Sequence, residues 1–192
     1  MASKFDAIIF DMDGTIIEQM LDFRAIRQEL GIPGQDGILE AIGQMPADQA
    51  ARAEQMLLNR ELTAASNANL MSGASELLKD ISDAGLKTAL LTRNAREAME
   101  IVLDKFALAF DLAWARDNGP IKPEPDGILR ACLELGVTSE RTCCVGDFHY
   151  DIIAANAAGA TSVLLAPDRP SYADQADHVI GKLDQLPAIL GL

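Results

Sequence analysis

The sequence predicts an α/β fold: a Rossmann-like parallel sheet with helices on both faces, and a small all-helical cap inserted after the first strand. Three observations predict it. Ala7-Ile8-Ile9-Phe10 is an unbroken apolar run, the pattern of a strand buried on both faces. From Ser72 onward, strand-like and helix-like segments alternate singly, which calls for a parallel sheet with crossover helices. Between these regions, residues 16–71 show helical periodicity and no strand-like run of β-branched residues.

After the first strand, helical patterns fall at about Asp22–Leu30, Gly37–Gln44 and Ala47–Ala64, with Pro46 suited to a first helical position. Ser75–Ala84 reads as a helix closed by Gly85, and Leu86–Leu91 as a strand ending at Thr92. Asn94 followed by Glu97 marks a helix start, with the helix running to about Phe106. Leu112–Ala115 is a short strand whose Trp114 is expected in the core. Pro125–Leu135 is a helix ended by Gly136, and Arg141–Val145 a strand ended by Gly146. Asp151–Ala158 is helical and Thr161–Leu165 a strand, before a last strand near His178–Ile180 and a helix near Leu183–Leu190. Residues 1–15 and 72–192 are therefore expected to form the core, and 16–71 the cap.

Composition narrows the function. At 192 residues, 49% hydrophobic and with a mean hydropathy of +0.09, the chain can bury a sizeable core. Its formal charge of −13 argues against nucleic acid or an anionic membrane as partner. A small anionic substrate stays open, because a metal or basic groups can reverse the field inside a cleft. No segment has the length of a membrane span, and the first residues lack the apolar region of a signal peptide. Cys132, Cys143 and Cys144 are odd in number and two are adjacent in a strand. They read as small buried hydrophobes in a reducing cytoplasm.

The chemistry gathers at strand ends, where open α/β sheets build their sites. Asp11 and Asp13 repel each other and gain nothing from packing, although D-x-D-G alone also fits an acidic turn or the start of a calcium loop. Thr92, with Arg93 and Asn94, follows the second strand. Lys122 lies in Ile121-Lys122-Pro123-Glu124-Pro125, and Asp147 and Asp151 follow Gly146. Each has a plainer reading: Thr92 as a helix-start residue, Lys122 as a solvated loop lysine, Asp151 as a helix cap, Arg93 as half of a surface ion pair.

The set D-x-D-G-T at 11–15, the strand-end Thr92, Lys122-Pro-x-Pro and Gly146-Asp-x-x-x-Asp151, in this order, resembles the haloacid dehalogenase-like hydrolases. The closer likeness is to their phosphoglycolate phosphatase-like branch, and it extends through the helix Asp151–Gly159. The resemblance implies that Asp11 is a nucleophile forming an aspartyl-phosphate, and that Asp13 protonates the leaving oxygen and later activates water. It implies that Thr92 donates to a phosphoryl oxygen and that Lys122 holds the phosphoryl group and Asp11 together. Mg2+ would be held by the Asp11 carboxylate, the Asp13 backbone carbonyl and the Asp147 carboxylate, with Asp151 supporting the metal waters. Physical chemistry agrees, since phosphoryl transfer rests on charge neutralisation and positioning, and hard oxygen donors suit Mg2+.

Substrate contacts are expected from Thr92, Arg93, Asn94 and Lys122. His149 is not expected to be a catalyst, because Asp13 already serves as acid and base. Dehalogenases of the family place no carboxylate at the position of Asp13, and phosphonate-cleaving members use an insert lysine that residues 16–71 lack. Sugar-phosphate mutases often carry Glu where this chain has Gly146. A phosphatase acting on a small-molecule phosphate ester is thus expected. A mutase, or a non-catalytic metal- or partner-binding relative, stands as the alternative. The cap has only Arg24, Arg27, Arg52 and Arg60 as basic residues, and its small size predicts an open site. Oligomeric state stays open.

Overall fold

Six parallel strands run in the order β3-β2-β1-β4-β5-β6 in the computed structural model, which describes residues 3–34 and 37–192. They are β1 Ala7–Phe10, β2 Lys87–Leu91, β3 Leu112–Trp114, β4 Thr142–Gly146, β5 Thr161–Leu165 and β6 His178–Ile180. The strand order reverses direction at β1, which places a crevice at its carboxyl end. β1 is central, pairing Ile9 with Ala89 on one side and with Cys144 on the other, and all four of its residues are buried.

Strand alternation sends β1 side chains into two separate cores. Ile8 and Phe10 join α4 (Ala74–Asp83), α5 (Arg96–Phe106) and α8 (Leu186–Leu190) through Leu77, Ile81, Met99, Val102 and Leu186. Ile9 joins α6 (Asp126–Leu135) and α7 (His149–Ala158) through Ile128, Ala131, Ala154 and Ala155. One device recurs towards both edges of the sheet. Asp111, just before β3, accepts hydrogen bonds from Thr88 N at 2.9 Å and Lys87 Nζ at 3.0 Å. Asp177, just before β6, accepts from Ser162 N at 2.9 Å and returns its own N–H to Ser162 Oγ at 3.0 Å.

Between β1 and α4 the chain forms α1 (Phe23–Leu30), α2 (Ile38–Ile42) and α3 (Ala47–Asn67). They share a core of Leu21, Ile26, Ile38, Ile42, Ala53 and Leu57. α3 also packs along α5, whose Lys105 donates to the carbonyls of Ser66 (2.8 Å) and Ala68 (2.7 Å) at the end of α3, where a cation is favoured.

Several boundaries differ from the sequence expectation. α7 begins at His149 rather than Asp151, and the Asp151 carboxylate accepts from Phe148 N at 3.0 Å inside the first turn. Pro46 and Pro125 precede their helices as N-cap residues instead of opening them. Arg141 ends a 3-10 turn (Ser139–Arg141) instead of opening β4, and its guanidinium pairs with Asp6. Trp114 is half-buried at the sheet edge, with the Arg130 guanidinium 5.0 Å from its ring centroid. The three cysteines are buried thiols. Among the described residues no helix is long and apolar enough to cross a membrane.

Candidate active site

Asp11 continues the β1 ladder by one bond, Asp11 N to Val145 O at 2.9 Å, and the chain then turns tightly. The amides of Ile16 and Ile17 both donate to Met12 O, and Gly14 N donates to Ile17 O. Gly14 has φ +74°, and a Cβ there would lie 2.0 Å from Asp147 Oδ2. Glycine is required at this position both for its backbone and for the approach of Asp147.

The turn brings Asp11 against Lys122. Lys122 Nζ lies 2.5 Å from Asp11 Oδ1 and 2.6 Å from Asp151 Oδ1, and all three side chains are largely withdrawn from solvent. The two carboxylates hold the ammonium charged despite its burial. One carboxylate oxygen each from Asp11, Asp147 and Asp151 lie within 4.8 Å of one another. Burial pushes Asp11 up to about 6, against the pull of Lys122. Burial, with Asp11 adding to it, pushes Asp13 up to about 7 and Asp147 to about 8. Among the described residues no group donates a hydrogen bond to the Asp147 carboxylate. Four carboxylates against one ammonium, one of them without a donor, form a cluster that a hard divalent cation fits.

The segment after β2 completes the site. Thr92 N donates to Trp114 O at 3.0 Å, and Thr92 Oγ1 accepts from Asn94 N at 3.1 Å. Asn94 Nδ2 donates to Asp13 Oδ2 at 2.7 Å, so Asn94 orients Asp13 instead of capping the helix that follows. α5 is capped from elsewhere: Ala95 N donates to Glu61 Oε2 and Arg96 N to Asp117 Oδ2, both at 3.0 Å. Glu61, on α3 and 2% exposed, also accepts from Arg116 Nη1 at 2.6 Å and 2.8 Å, and Arg116 Nη1 reaches Arg93 O at 3.2 Å.

Among the candidates, Asp11, Lys122, Asp147 and Asp151 thus meet in one cluster, and Asn94 reaches Asp13. Arg93 lies at the rim, where its guanidinium meets Glu40 of α2 and covers the Tyr150 ring. His149 turns to Gln175 (2.8 Å) and stacks on Tyr172. Arg52 pairs with Asp48 and Arg60 with Glu29, while Arg24 and Arg27 line a surface hollow beside Gln28. Sequence reasoning missed Glu61 and Arg116. The available signal was an acid in the α3 stripe Ala53, Leu57, Glu61, Ala64, where every other member is apolar.

Residues 5–159 match the model of the haloacid dehalogenase-like hydrolases. The chain belongs to that family. It is 29% identical over 207 residues to a haloacid dehalogenase-like hydrolase domain-containing protein of Arabidopsis thaliana, covering 98% of this chain and 84% of that one. It is 27% identical over 209 residues to a phosphoglycolate phosphatase of Xanthomonas campestris, covering 94% of each. The crystal structure of a hydrolase from Pseudomonas syringae shares the fold, with a TM-score of 0.81 at 23% identity, covering 96% of this chain and 97% of that one. This haloacid dehalogenase-like chain is an enzyme and groups with the phosphatases of its family.

Proposed function

We propose that this haloacid dehalogenase-like chain is a Mg2+-dependent phosphatase that hydrolyses a small-molecule phosphate monoester through a phosphorylated Asp11. The observation that carries the proposal is Lys122, held between Asp11 and Asp151 beside the donor-less carboxylate of Asp147. A lysine so placed offsets the repulsion between an anionic nucleophile and an anionic ester. Asp11 attacks phosphorus, the bond to the leaving oxygen breaks, and Asp13 gives that oxygen its proton. Water then attacks the phosphorylated Asp11, Asp13 takes a proton from it, and phosphate leaves. A carboxyl raised to about 7 can both give and take that proton near neutrality. Asn94 holds Asp13 Oδ2, leaving Oδ1 for the exchange.

Asp11, Asp147 and the Asp13 carbonyl are the groups proposed to hold Mg2+. Both Asp151 oxygens are engaged, one by Lys122 and one by Phe148 N, which favours support of metal waters over direct ligation. The ion supplies charge neutralisation of the phosphoryl oxygens. Thr92 and Lys122 are proposed to bind the phosphoryl group, and residues 16–71 to form the cap over a core of 1–15 and 72–192. At Gly146 a Cβ would fall 2.2 Å from Asp151 Cγ, so the Glu that mutases often carry there finds no room. The buried thiols support a cytoplasmic location.

Phosphate release from p-nitrophenyl phosphate and a panel of small phosphate esters, with and without Mg2+, tests this reading. Mg2+-dependent release is expected. No turnover of any ester sinks it, and isomer formation from a sugar phosphate without release points to the mutase instead.

A further inference from the structure

Among the described residues two ion pairs, Glu61–Arg116 and Glu40–Arg93, join α1–α3 to the elements of the sheet, and they differ in exposure. Glu61–Arg116 is buried, with side-chain exposures of 3% and 19%, and the carboxylate is also tied to Ala95 N. Glu40–Arg93 lies at the rim of the crevice, with Glu40 43% exposed. Arg93 Nη2 reaches both Glu40 oxygens, at 2.8 Å and 2.9 Å. Its Nη1 donates to the carbonyl of Lys122, the residue that touches Asp11, and its guanidinium carbon sits 4.8 Å from the Tyr150 ring centroid. A backbone carbonyl and an aromatic face therefore fix this guanidinium from the core side, and only its outer edge is given to Glu40. Gly37 lies against the same carboxylate, since a Cβ there would fall 2.0 Å from Glu40 Oε2 and 3.2 Å from Tyr150 Oη.

A solvent-exposed carboxylate holds arginine weakly, whereas a pre-positioned guanidinium binds a carboxylate or phosphate through directed, charge-assisted bonds. Lys122 and Arg116 are committed to buried carboxylates, whereas Arg93 is a cation beside Lys122 whose partner is exposed, so an incoming anion can displace that partner. We propose that Arg93 is the receptor for a second anionic group on the substrate, and that Glu40 is its built-in competitor. The enzyme then favours phosphate esters that carry a further carboxylate or phosphate, and esters without one leave the Glu40 contact in place. This inference rests on the phosphatase reading above.

Steady-state kinetics on matched esters test it: glycerol 3-phosphate against 3-phosphoglycerate for a carboxylate, and glucose 6-phosphate against glucose 1,6-bisphosphate for a phosphate. Wild type is expected to prefer the two-anion member of at least one pair, which tells carboxylate from phosphate. Glu40→Gln is expected to lower KM for that member by about two- to fivefold, leaving its one-anion partner and p-nitrophenyl phosphate unchanged. Arg93→Ala is expected to cut the preference by about tenfold or more, with Arg93→Lys intermediate. Equal effects of Glu40→Gln on both members of each pair, or an undiminished preference in Arg93→Ala, overturn the inference and leave the phosphatase standing. Absence of turnover by wild type on every ester overturns both.

Discussion

Gly14 and Glu61 show how much a single residue decides here. Gly14 combines a φ of +74° with an approach to Asp147 that no side chain survives. Gly14→Ala is expected to abolish turnover and to cost about 1–2 kcal/mol for the backbone alone, read as a lowered melting temperature. Full activity in that variant would show that Asp147 does not need its place beside the turn. Glu61 is a buried charge with two donors, and removing it strands Arg116. Glu61→Ala is expected to lose about 3 kcal/mol in urea unfolding, against less than about 1 kcal/mol for breaking the exposed Arg52–Asp48 pair. Asp11 and Asp147 were legible because each is a charged residue directly after a strand with no packing reason to be there, and Lys122 because it stands in the Lys-Pro-x-Pro loop before α6. Glu61 showed only as an acid in an otherwise apolar α3 stripe; its role was hidden because its partners Ala95 and Arg116 lie 34 and 55 positions away.

At the scale of elements, apolar runs and glycine stops located every strand and most helices, because burial on both faces of a parallel sheet leaves an unmistakable pattern. Boundaries slipped where a side chain had a distant duty. Asn94 has the chemistry of a helix cap, yet its amide serves Asp13, and Glu61 and Asp117 cap α5 in its place. The edge clamps Asp111 and Asp177 were equally silent, being set by strand neighbours far apart in sequence. Asp111 is held below the usual carboxylate range, first by the Thr88 amide and also by Lys87. A lowered folded pKa adds stability that is present above the ordinary value near 3.8 and is lost as pH falls through the lowered one. Asp111→Ala is expected to cost about 1 kcal/mol at pH 7, with the gap to wild type closing as unfolding is measured below about pH 4. A gap independent of pH would mean that the clamp acts through packing alone.

For the whole molecule, a site holding more carboxylate than ammonium works against the fold until a cation joins it. Millimolar Mg2+ is expected to raise the melting temperature of wild type, since an ion that binds the native state stabilises it by mass action. Asp147→Asn, which removes the carboxylate with no donor, is expected to be at least as stable as metal-free wild type and to lose most of the Mg2+ response. An unchanged response would place the ion elsewhere. The central claim is that the reaction passes through Asp11, and Asp11→Asn tests it most directly, assayed with Mg2+ for phosphate release alongside its melting curve. No release above background, with melting close to that of wild type, is the predicted result; near-normal turnover would contradict the account.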